Sequence, residues 1–338
     1  MAKRLATALT LLAALMALGV AGCGGDDDSE SASGDSSTIS LAFSTWNGYA
    51  GLVIGVESGI FEEEGLDVSY DVIEDPVQRF NAFKAGEFDA VATTPDTFSR
   101  NWARAIETVQ VLPVDRSLGG DGIVAGTDVT DVAGLEGETV AVSQGSTSQW
   151  FLGYVLEDNG LSLDDVEQAN LTAADAGAAF AAGRVPVAVT WEPWLTRAEK
   201  NPDGHVLVST EDYPDIITDG VAFSPDYVEE NPETVQKFVD AYGKVMDMVE
   251  SDPDKAFGYA SDYLGQSVAD IKATLKTVPL LTLEEGAEFY GTADSPGPAY
   301  DVFTQSGEFW ESIGEADEVA NADDAIDPSF INEAVGQS

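Results

Sequence analysis

The chain has 338 residues, with 61 acidic side chains against 15 basic ones and a formal net charge of −46. A charge of that sign repels nucleic acids and anionic lipid surfaces, so the composition excludes nucleic acid as a partner. The acidic residues are spread along the whole sequence, which is typical of a solvated surface in a protein adapted to high salt. We therefore expect the fold to weaken at low ionic strength, where self-repulsion is less screened.

The N-terminus has the pattern of a secretory signal. Lys3 and Arg4 precede a short apolar run, and small residues follow before Cys23. The run is shorter than the roughly 20 apolar residues that a membrane span needs. Residues 20–23 resemble a bacterial lipobox, in which cleavage precedes the cysteine and the thiol carries lipid. We therefore predict a signal peptide over 1–22 and a lipid anchor on Cys23; an ordinary signal with an incidental cysteine is the alternative.

The segment over 23–37 is rich in Gly, Ser and Asp, and after Cys23 it contains no apolar residue larger than Ala. Such a segment cannot bury enough surface to offset its chain entropy, so it predicts a flexible acidic tether. Cys23 is the only cysteine, which excludes an intramolecular disulfide. The folded part is expected to begin near Thr38 and is long enough for two lobes.

Strand and helix patterns alternate through the folded part. The predicted strands are 38–43, 66–70, 90–93, 109–114, 121–125, 166–171, 187–189 and 216–223, and residues 135–142 are predicted to form a turn and a strand. The predicted helices are 52–58, 76–85, 96–105, 149–159, 174–182, 234–251, 253–263, 268–274, 283–290 and 299–313. This alternation predicts an α/β fold with parallel sheets.

The order of these elements predicts two lobes joined by a hinge. The chain is expected to cross between the lobes twice, near residues 125–127 and near Phe223. The predicted boundaries are 38–125 for the first part of lobe 1, 126–222 for lobe 2, and 223–338 for the return to lobe 1 and the C-terminal helices. Two crossings make a hinge that can close around a ligand.

A fifteen-residue pattern occurs twice, at 82–96 and at 179–193. Each copy reads as a helix end, a glycine in a left-handed C-cap, a small apolar strand buried on both faces, and a polar tip. In open α/β sheets, ligands bind at the carboxyl ends of the strands. The repeat therefore predicts two related lobes with a cleft between their strand tips; a chance match is the alternative.

Candidate ligand contacts lie at two strand tips of lobe 1. Trp46, Asn47 and Tyr49 follow the first strand, where the rings could form a wall and Asn47 could orient a ligand. Thr94 and Asp96 follow the repeated strand. Packing of Trp46 within lobe 1, and helix capping by Thr94 or Asp96, are the alternatives.

Further candidates lie near or within lobe 2. Ser146 and Thr147 precede a helix, and hydroxyl groups at a helix N-terminus suit a sulfonate, a nitrate or a carboxylate. Asp121 stands in a glycine-rich loop that could approach a ligand closely. Asp175 precedes the helix of the second repeat. Helix capping is the alternative for the two hydroxyl residues and for Asp175.

Trp191, Glu192 and Trp194 form the strongest candidate cluster. A carboxylate between two indoles can hold a cation by its charge and on a ring face, and a packed cluster beside the hinge is the alternative. The candidates include several carboxylates but no Lys or Arg, which favours a cation or zwitterion over bare nitrate. We expect Glu192→Gln to weaken binding at least about tenfold, or about 1.4 kcal/mol.

The sequence gives little sign of catalysis. The single histidine, His205, stands in a polar Pro-Asp-Gly-His segment that is typical of a surface turn. The metalloprotease, Walker and nucleophile-elbow motifs and cysteine pairs are absent from the sequence. We therefore predict no catalytic residue, no metal site and no cofactor.

Four segments resemble the nitrate/sulfonate/taurine (NitT/TauT-type) substrate-binding proteins of ABC importers. They are 44–49, 59–68, 82–96 and 190–194, and 59–68, Gly-Ile-Phe-Glu-Glu-Glu-Gly-Leu-Asp-Val, is the most specific. The resemblance covers roughly residues 39–250. Pro186 departs from the pattern, since the family usually has an Asp that would mirror Asp89.

The resemblance implies a two-lobed periplasmic-binding-protein fold of type II, with two parallel-rich sheets flanked by helices. It also implies a monomer that captures a small nitrogen- or sulfur-containing compound and delivers it to a membrane permease. The compound would be taurine- or sulfonate-like, or a small cation or zwitterion. The protein would be extracytoplasmic, at the outer face of the cell membrane or in the periplasm. A pyrimidine-precursor binding or biosynthesis protein of the same fold, and a ligand-sensing partner of a receptor, are the alternatives.

Overall fold

The computed structural model describes residues 37–336. The predicted signal peptide, the lipidation site Cys23 and nearly all of the tether therefore lie outside the described residues. The first strand begins at Thr38, as the sequence predicts. Within the described part of the chain, no helix combines the length and the apolar character that crossing a membrane requires.

The strands are β1 (Thr38–Phe43), β2 (Asp67–Val72), β3 (Ala90–Thr93), β4 (Val109–Pro113), β5 (Asp121–Gly126), β6 (Thr139–Val142), β7 (Glu167–Asn170), β8 (Val187–Trp191), β9 (Gly204–Ser209), β10 (Gly220–Phe223), β11 (Gly291–Thr292) and β12 (Ser295–Pro296). The helices before β9 are α1 (Ala50–Glu57), α2 (Ile60–Glu63), α3 (Pro76–Lys84), α4 (Pro95–Trp102), α5 (Thr147–Asp158), α6 (Ala173–Ala181) and α7 (Trp194–Glu199). The later helices are α8 (Pro225–Glu230), α9 (Pro232–Ser251), α10 (Pro253–Leu264), α11 (Val268–Thr274), α12 (Leu283–Tyr290), α13 (Pro298–Ser312), α14 (Ala322–Ala325) and α15 (Ser329–Ala334).

Two five-stranded sheets form the centres of the two lobes. Their strand orders are β2-β1-β3-β10-β4 in lobe 1 and β7-β6-β8-β5-β9 in lobe 2. In lobe 1, β1 is parallel to β2 and β3, whereas β10 is antiparallel to both of its neighbours. In lobe 2, β6 is parallel to β7 and β8, whereas β5 is antiparallel to both of its neighbours. The predicted two-lobed α/β fold is confirmed, with one antiparallel strand in each mixed sheet.

The two copies of the repeated segment occupy equivalent places in the two sheets. β3 lies between β1 and β10, and β8 lies between β6 and β5. The helices before them lead into Gly86 and Gly183, with φ of 74° and 66°. This left-handed region is costly for a residue with a Cβ atom, which explains glycine at both positions. The equivalent sheet positions favour a structural repeat over a chance match.

Both crossings between the lobes differ from the predicted boundaries by one strand. β5 pairs within the sheet of lobe 2, so the first crossing lies between Pro113 and Asp121. β10 pairs with β3 in lobe 1, so the return crossing lies between Ser209 and Gly220. The predicted boundaries at 125/126 and 222/223 therefore assign β5 and β10 to the wrong lobes. A short apolar strand does not specify its sheet, because its pairing partners are distant in the chain.

One strand of lobe 2 was not predicted. β9 is an edge strand that pairs with β5, and His205 lies opposite Ala125 in that pair. His205 is therefore a half-buried strand residue, and its prediction as part of a polar turn was wrong. The preceding Pro202 and Asp203 are strong turn residues, which conceal a strand as short as this one.

Helix α13 links the two lobes beyond the crossings. It packs against α4 of lobe 1 and α5 of lobe 2, and its last turns place Phe309 and Trp310 in the hydrophobic core of lobe 2. The Trp310 Nε1–H donates a hydrogen bond to the carbonyl oxygen of Asp96, at 2.8 Å. This contact holds the C-terminal helices beside the start of α4.

Candidate functional site

A cleft of about 500 Å³ lies where the two lobes meet. Its lining comes mainly from segments that follow β1, β2, β3, β6 and β7 and from the end of β8, together with the start of β5 and the return crossing. The carboxyl ends of the parallel strands of both sheets thus converge on one space, as expected for a ligand site in an α/β protein. The lining residues are Ser44, Trp46, Tyr49, Glu74, Asp75, Pro76, Val77, Arg79, Thr93, Thr94, Thr97, Asp121, Ser143, Gln144, Ser146, Thr147, Asn170, Thr172, Ala173, Ala174, Trp191, Trp194, Ile217 and Asp219.

Hydroxyl groups join the lobes across the cleft. The Oγ1 atoms of Thr94 in lobe 1 and Thr147 in lobe 2 lie 2.7 Å apart, within hydrogen-bond distance. Thr97 Oγ1 lies 3.4 Å from the same Thr147 oxygen. Neither Thr94 nor Ser146 uses its side chain to cap the helix that follows, and Ser146 Oγ donates to the Ser143 carbonyl oxygen instead. The structure therefore disfavours capping as the role of these two hydroxyls.

Two aromatic side chains from the segment after β1 form part of the cleft wall in lobe 1. Trp46 Nε1–H donates to Asp115 Oδ2 at 3.0 Å, and the Tyr49 hydroxyl donates to Asp219 Oδ1. Gly48 lies between them, and a Cβ atom there would come within 1.7 Å of Asp115 Oδ2. The wall therefore depends on buried carboxylates of the two interlobe crossings, which orient both aromatic rings.

Asp121 and Trp191 are paired residues in the antiparallel ladder between β5 and β8. Side chains that face each other across such a ladder have Cβ atoms about 5 Å apart on the same face of the sheet. Both side chains line the cleft. Asp121 begins β5, as the predicted strand over 121–125 requires, and the second prediction, that it stands in a flexible loop, was wrong. It is buried, because β5 pairs on both sides.

Glu192 lies outside the lining of this cleft, next to Trp191 in sequence. Its carboxylate accepts hydrogen bonds from the Thr196 hydroxyl and from the Thr196 backbone N–H at 3.1 Å. It lines a second cavity of about 630 Å³, which α11 and the loop before it help to form. The predicted arrangement of Glu192 between two indoles is therefore not formed, because consecutive residues at a strand end point in different directions.

Three other predicted contacts also lie outside the lining residues. Asn47 is fully buried, and its amide group pairs with that of Gln266. Asp175 is exposed in the first turn of α6 and accepts a hydrogen bond from the Thr172 hydroxyl. Asp96 is buried beneath the threonines and accepts from Thr97 Oγ1 at 3.2 Å. Helix-start contacts thus account for Asp175 and in part for Asp96.

Burial and mutual repulsion raise the pKa values of the carboxyl groups at the base of the cleft. Burial, together with the charges of Asp219, Asp96 and Glu192, raises the pKa of Asp121 to about 8, although the hydrogen bond from Ser117 lowers it. Burial also raises the pKa of Asp219 to about 7, and that of Asp96 to about 6. The pKa of Asp115 is raised well above its usual value by burial and by the charge of Asp219. Each of these groups favours the protonated form more than an exposed carboxyl does.

Arg79 lines the cleft and was not among the predicted contacts, all of which lacked a basic side chain. It is 4% exposed, and its Nη1 donates to the Ile73 carbonyl oxygen at 2.8 Å. Its Nε finds no partner among the described residues. The only sequence signal for Arg79 is that it is one of few basic residues and stands in the first turns of a predicted helix.

Comparison with protein families gives one match that spans more than half of the chain. The family model described as "NMT1/THI5 like" matches residues 46–256. This range includes both crossings and most of the residues that line the cleft.

Individual relatives are more distant. A Brucella abortus (strain 2308) protein, provisionally named a binding protein, is 24% identical over 235 residues, 69% of this chain and 73% of that one. A Bacillus subtilis (strain 168) protein, provisionally named an aliphatic sulfonates-binding protein, is 25% identical over 281 residues, 80% of this chain and 83% of that one. The crystal structure of the periplasmic aliphatic sulphonate binding protein from Escherichia coli superposes with a TM-score of 0.71 at 19% identity, covering 88% of this chain and 99% of that one. This structural likeness supports the fold.

Proposed function

The chain belongs to the NMT1/THI5-like family, and on that premise we propose that it is the extracytoplasmic substrate-binding protein of an ABC importer. The observation that carries the proposal is the cleft of about 500 Å³, which is lined by both lobes. A ligand in that position contacts both sheets at once, so its binding free energy favours the closed arrangement of the lobes. Closure would give a membrane permease a surface that differs between the loaded and the empty protein.

The proposed ligand is a small polar compound that contains nitrogen or sulfur. The cleft volume suits a molecule of that size. The N-terminus of α5, with the hydroxyls of Ser146 and Thr147, suits an anionic oxygen, as in sulfonates and taurine. The carboxylates and indoles of the cleft suit a cation or the positive end of a zwitterion. Some relatives are named for aliphatic sulfonates, so we include sulfonates among the proposed ligands.

The proposed location is the outer face of the cell membrane, through lipid on Cys23 and the acidic tether, or the periplasm. Its partners would be the membrane subunits of the importer, and the protein would act as a monomer. Replacement of Cys23 by Ser tests the anchor: we expect the variant to leave the membrane fraction while keeping its ligand affinity. Retention of Cys23→Ser in the membrane fraction after a high-salt wash would contradict lipid anchoring.

The same-fold alternative is a pyrimidine-precursor binding or biosynthesis protein. Aminopyrimidines therefore belong among the compounds to be tested. A binding protein returns its ligand chemically unchanged, whereas an enzyme yields a product. Mass spectrometry of the compound after incubation with the protein distinguishes these two outcomes.

The experiment that tests the proposal is a thermal-shift series on the mature chain without Cys23, in molar salt. The compounds are taurine, alkanesulfonates, nitrate, guanidinium, urea and aminopyrimidines. A ligand at 100 times its dissociation constant stabilises the folded state by about 2.7 kcal/mol. We expect one class to raise the melting temperature of the wild type.

Two adjacent variants localise the binding to the cleft. Trp191→Leu removes a side chain that lines the cleft, and we expect it to abolish the thermal shift. Glu192→Gln alters the next residue, which lies outside the lining. We therefore expect it to preserve the shift, and this replaces the tenfold weakening expected from the sequence alone. A shift that survives Trp191→Leu but is lost in Glu192→Gln would place the ligand in the second cavity and contradict the proposal.

A further inference from the structure

One carboxylate oxygen of Asp121 remains unpartnered at the base of the cleft. Asp121 is 5% exposed, and its Oδ2 accepts a hydrogen bond from Ser117 Oγ at 2.6 Å. Its Oδ1 receives no hydrogen bond from the described residues, although the side chain lines the cleft. The Ser117 hydroxyl is also within 2.7 Å of Thr210 Oγ1, so this short network fixes the carboxyl group. The carboxyl group is thus fixed by one oxygen, and its other oxygen is left available in the cleft to accept a hydrogen bond from a donor on the ligand.

A second carboxyl group, that of Asp219, lines the same cleft from the return crossing. Its Oδ1 is occupied by the Tyr49 hydroxyl. Asp115 does not line the cleft, and its Oδ1 is buried without a hydrogen-bond partner among the described residues. The charges of Asp115 and Asp219 act on each other, and that of Asp219 also acts on Asp121. Three buried acids therefore meet where the crossings join the cleft.

Positive charge is scarce around these acids. Among the described residues that line the cleft, Arg79 is the only Lys or Arg, whereas Glu74, Asp75, Asp121 and Asp219 are all acidic. Arg79 interacts electrostatically with Glu74 and Asp219. Within residues 37–336, no group of three or more His, Cys, Asp or Glu side chains could hold a metal ion. Two donors of the lining, Arg79 Nε and Trp191 Nε1, are also buried without a partner among the described residues. The preference for an organic cation over an anion therefore rests on the excess of acidic side chains in the lining.

The pairing of Asp121 with Trp191 adds an apolar surface directly beside the free acceptor. A cation over an indole face gains roughly 0.5–2 kcal/mol, more when the site is desolvated. Trp194 also lines this part of the cleft, at the start of α7. The site thus offers a carboxylate for N–H groups and aromatic rings for the carbon skeleton.

We infer that the ligand is a small organic cation with an ammonium or amidinium group, which donates N–H bonds to Asp121 and packs its carbon skeleton against Trp191. Asp219 supplies the second negative charge. This inference rests on the proposed binding function and narrows its substrate class from anions and zwitterions to cations. A sulfonate would either place its negative charge near these acids, which would repel it, or be held by Ser146 and Thr147 alone.

Ligand binding would then be coupled to loss of a proton. In the empty cleft, Asp121 is surrounded by Asp219, Asp96 and Glu192, which favour its protonated form, and Arg79 acts on Asp219. A cation binds the ionised form. The fraction of protein in that form falls about tenfold per pH unit below the pKa, so the apparent affinity falls by up to the same factor. We expect affinity to rise between about pH 6 and about pH 8.

The test uses probes that share one carbon skeleton and differ in charge. The mature chain is titrated by calorimetry in molar salt at about pH 8 with propylammonium, propylguanidinium, propanol and propanesulfonate. We expect one or both cations to bind, and Asp121→Asn to weaken that binding at least about tenfold. Asp240→Asn, the same change at an exposed position of α9, is the control and should alter affinity less than about twofold.

The outcomes separate this inference from the proposed function. Binding of propanesulfonate that survives Asp121→Asn overturns the cation inference and leaves the binding function standing. Absence of binding by any probe, with no small molecule released when the purified protein is denatured, overturns both. If Asp121→Asn does not fold, the wild-type pH profile decides: cation affinity that does not rise between about pH 6 and about pH 8 overturns the inference.

Discussion

Asp121 and Trp191 face each other across one antiparallel strand pair, and both line the cleft. Because both belong to the sheet of lobe 2, the backbone ladder keeps their spacing when the lobes move relative to each other. The hydrogen bond from Ser117 to Asp121 further fixes the carboxylate. Lobe 2 therefore carries a preorganised acceptor and ring surface, while Tyr49 and Asp219 supply the opposite wall from lobe 1 and the return crossing. Preorganisation of this kind lowers the entropic cost of binding.

Asp121→Asn should change the pH dependence of stability. Burial raises the pKa of Asp121 from 3.8 to about 8, so the folded state holds this proton more tightly than the unfolded state does. The stabilisation is fully present below about pH 4 and is lost as pH rises to about 8. Asparagine has no proton to lose. We expect the melting temperature of Asp121→Asn, minus that of the wild type, to rise from about pH 5 to about pH 8 and then level off.

Melting curves at several pH values, without ligand, measure this difference. Asp240→Asn reports the effect of removing one exposed surface charge by the same substitution. A difference for Asp121→Asn that stays constant over that pH range would contradict the assignment of a buried, protonated carboxyl group at the base of the cleft.

Thr147→Val should weaken ligand binding by opening the cleft. The Thr147 hydroxyl lies 2.7 Å from Thr94 Oγ1 and 3.4 Å from Thr97 Oγ1, so it joins the lobes. Loss of one buried hydrogen bond costs about 1 kcal/mol, which corresponds to roughly fivefold weaker binding. Calorimetry measures the affinity, and solution scattering measures the spread of the lobes. Thr139→Val, at the far end of β6, is the matched control; an equal loss in both variants would exclude an interlobe role.

Gly86→Ala and Gly183→Ala should destabilise the fold by similar amounts. The two glycines have φ of 74° and 66° and end equivalent helices, and no atom lies within 4 Å of an added Cβ at either position. Each substitution should therefore lower stability through backbone strain alone, by about 1–2 kcal/mol. Gly258→Ala is the control, because an added Cβ at this exposed position of α10 meets no atom within 4 Å and needs no left-handed backbone. Gly258→Ala should stabilise the fold by about 0.5–1 kcal/mol. If Gly258→Ala instead loses as much stability as Gly86→Ala and Gly183→Ala, backbone strain is not the cause.

The melting temperature should rise with salt. The net charge of −46 produces self-repulsion that mobile ions screen, with a Debye length of about 10 Å at 0.1 M and about 3 Å at 1 M. Differential scanning calorimetry over this range measures the effect, and sucrose at matched osmolality separates screening from exclusion of a cosolute. A melting temperature that is flat in salt, or that rises equally in sucrose, would show that surface charge does not limit stability.

Much of the fold follows from local sequence patterns. Helix α12 begins and ends as predicted, and α9 differs only by the inclusion of Pro232 and Glu233 at its start. The repeated segment correctly predicted two equivalent central strands. In contrast, β9 and the sheet membership of β5 were missed, because strand pairing joins residues that are distant in the chain.

The candidate site was only partly predictable for the same reason. Trp46 and Thr94 follow strand ends and Trp191 is the last residue of β8, so their presence at the cleft could be predicted from chain order. Asp219 and Arg79 could not, since they reach the cleft from the return crossing and from the side of a helix. We predicted that Glu192 accompanies Trp191 in the site because the two are adjacent in sequence. The acidic residue opposite Trp191 in the strand pair is instead Asp121.

By itself, the sequence determined the acidic surface, the alternating elements and the repeat, because these depend on composition and on periodicity within short segments. Tertiary structure alone decided which acids are buried together, which of them faces Trp191, and where the chain crosses between lobes. These features depend on register across strand pairs, and a shift of one residue reverses the face to which a side chain points. The charge of the cleft is therefore a property of the folded arrangement of Asp115, Asp121 and Asp219 rather than of any one segment.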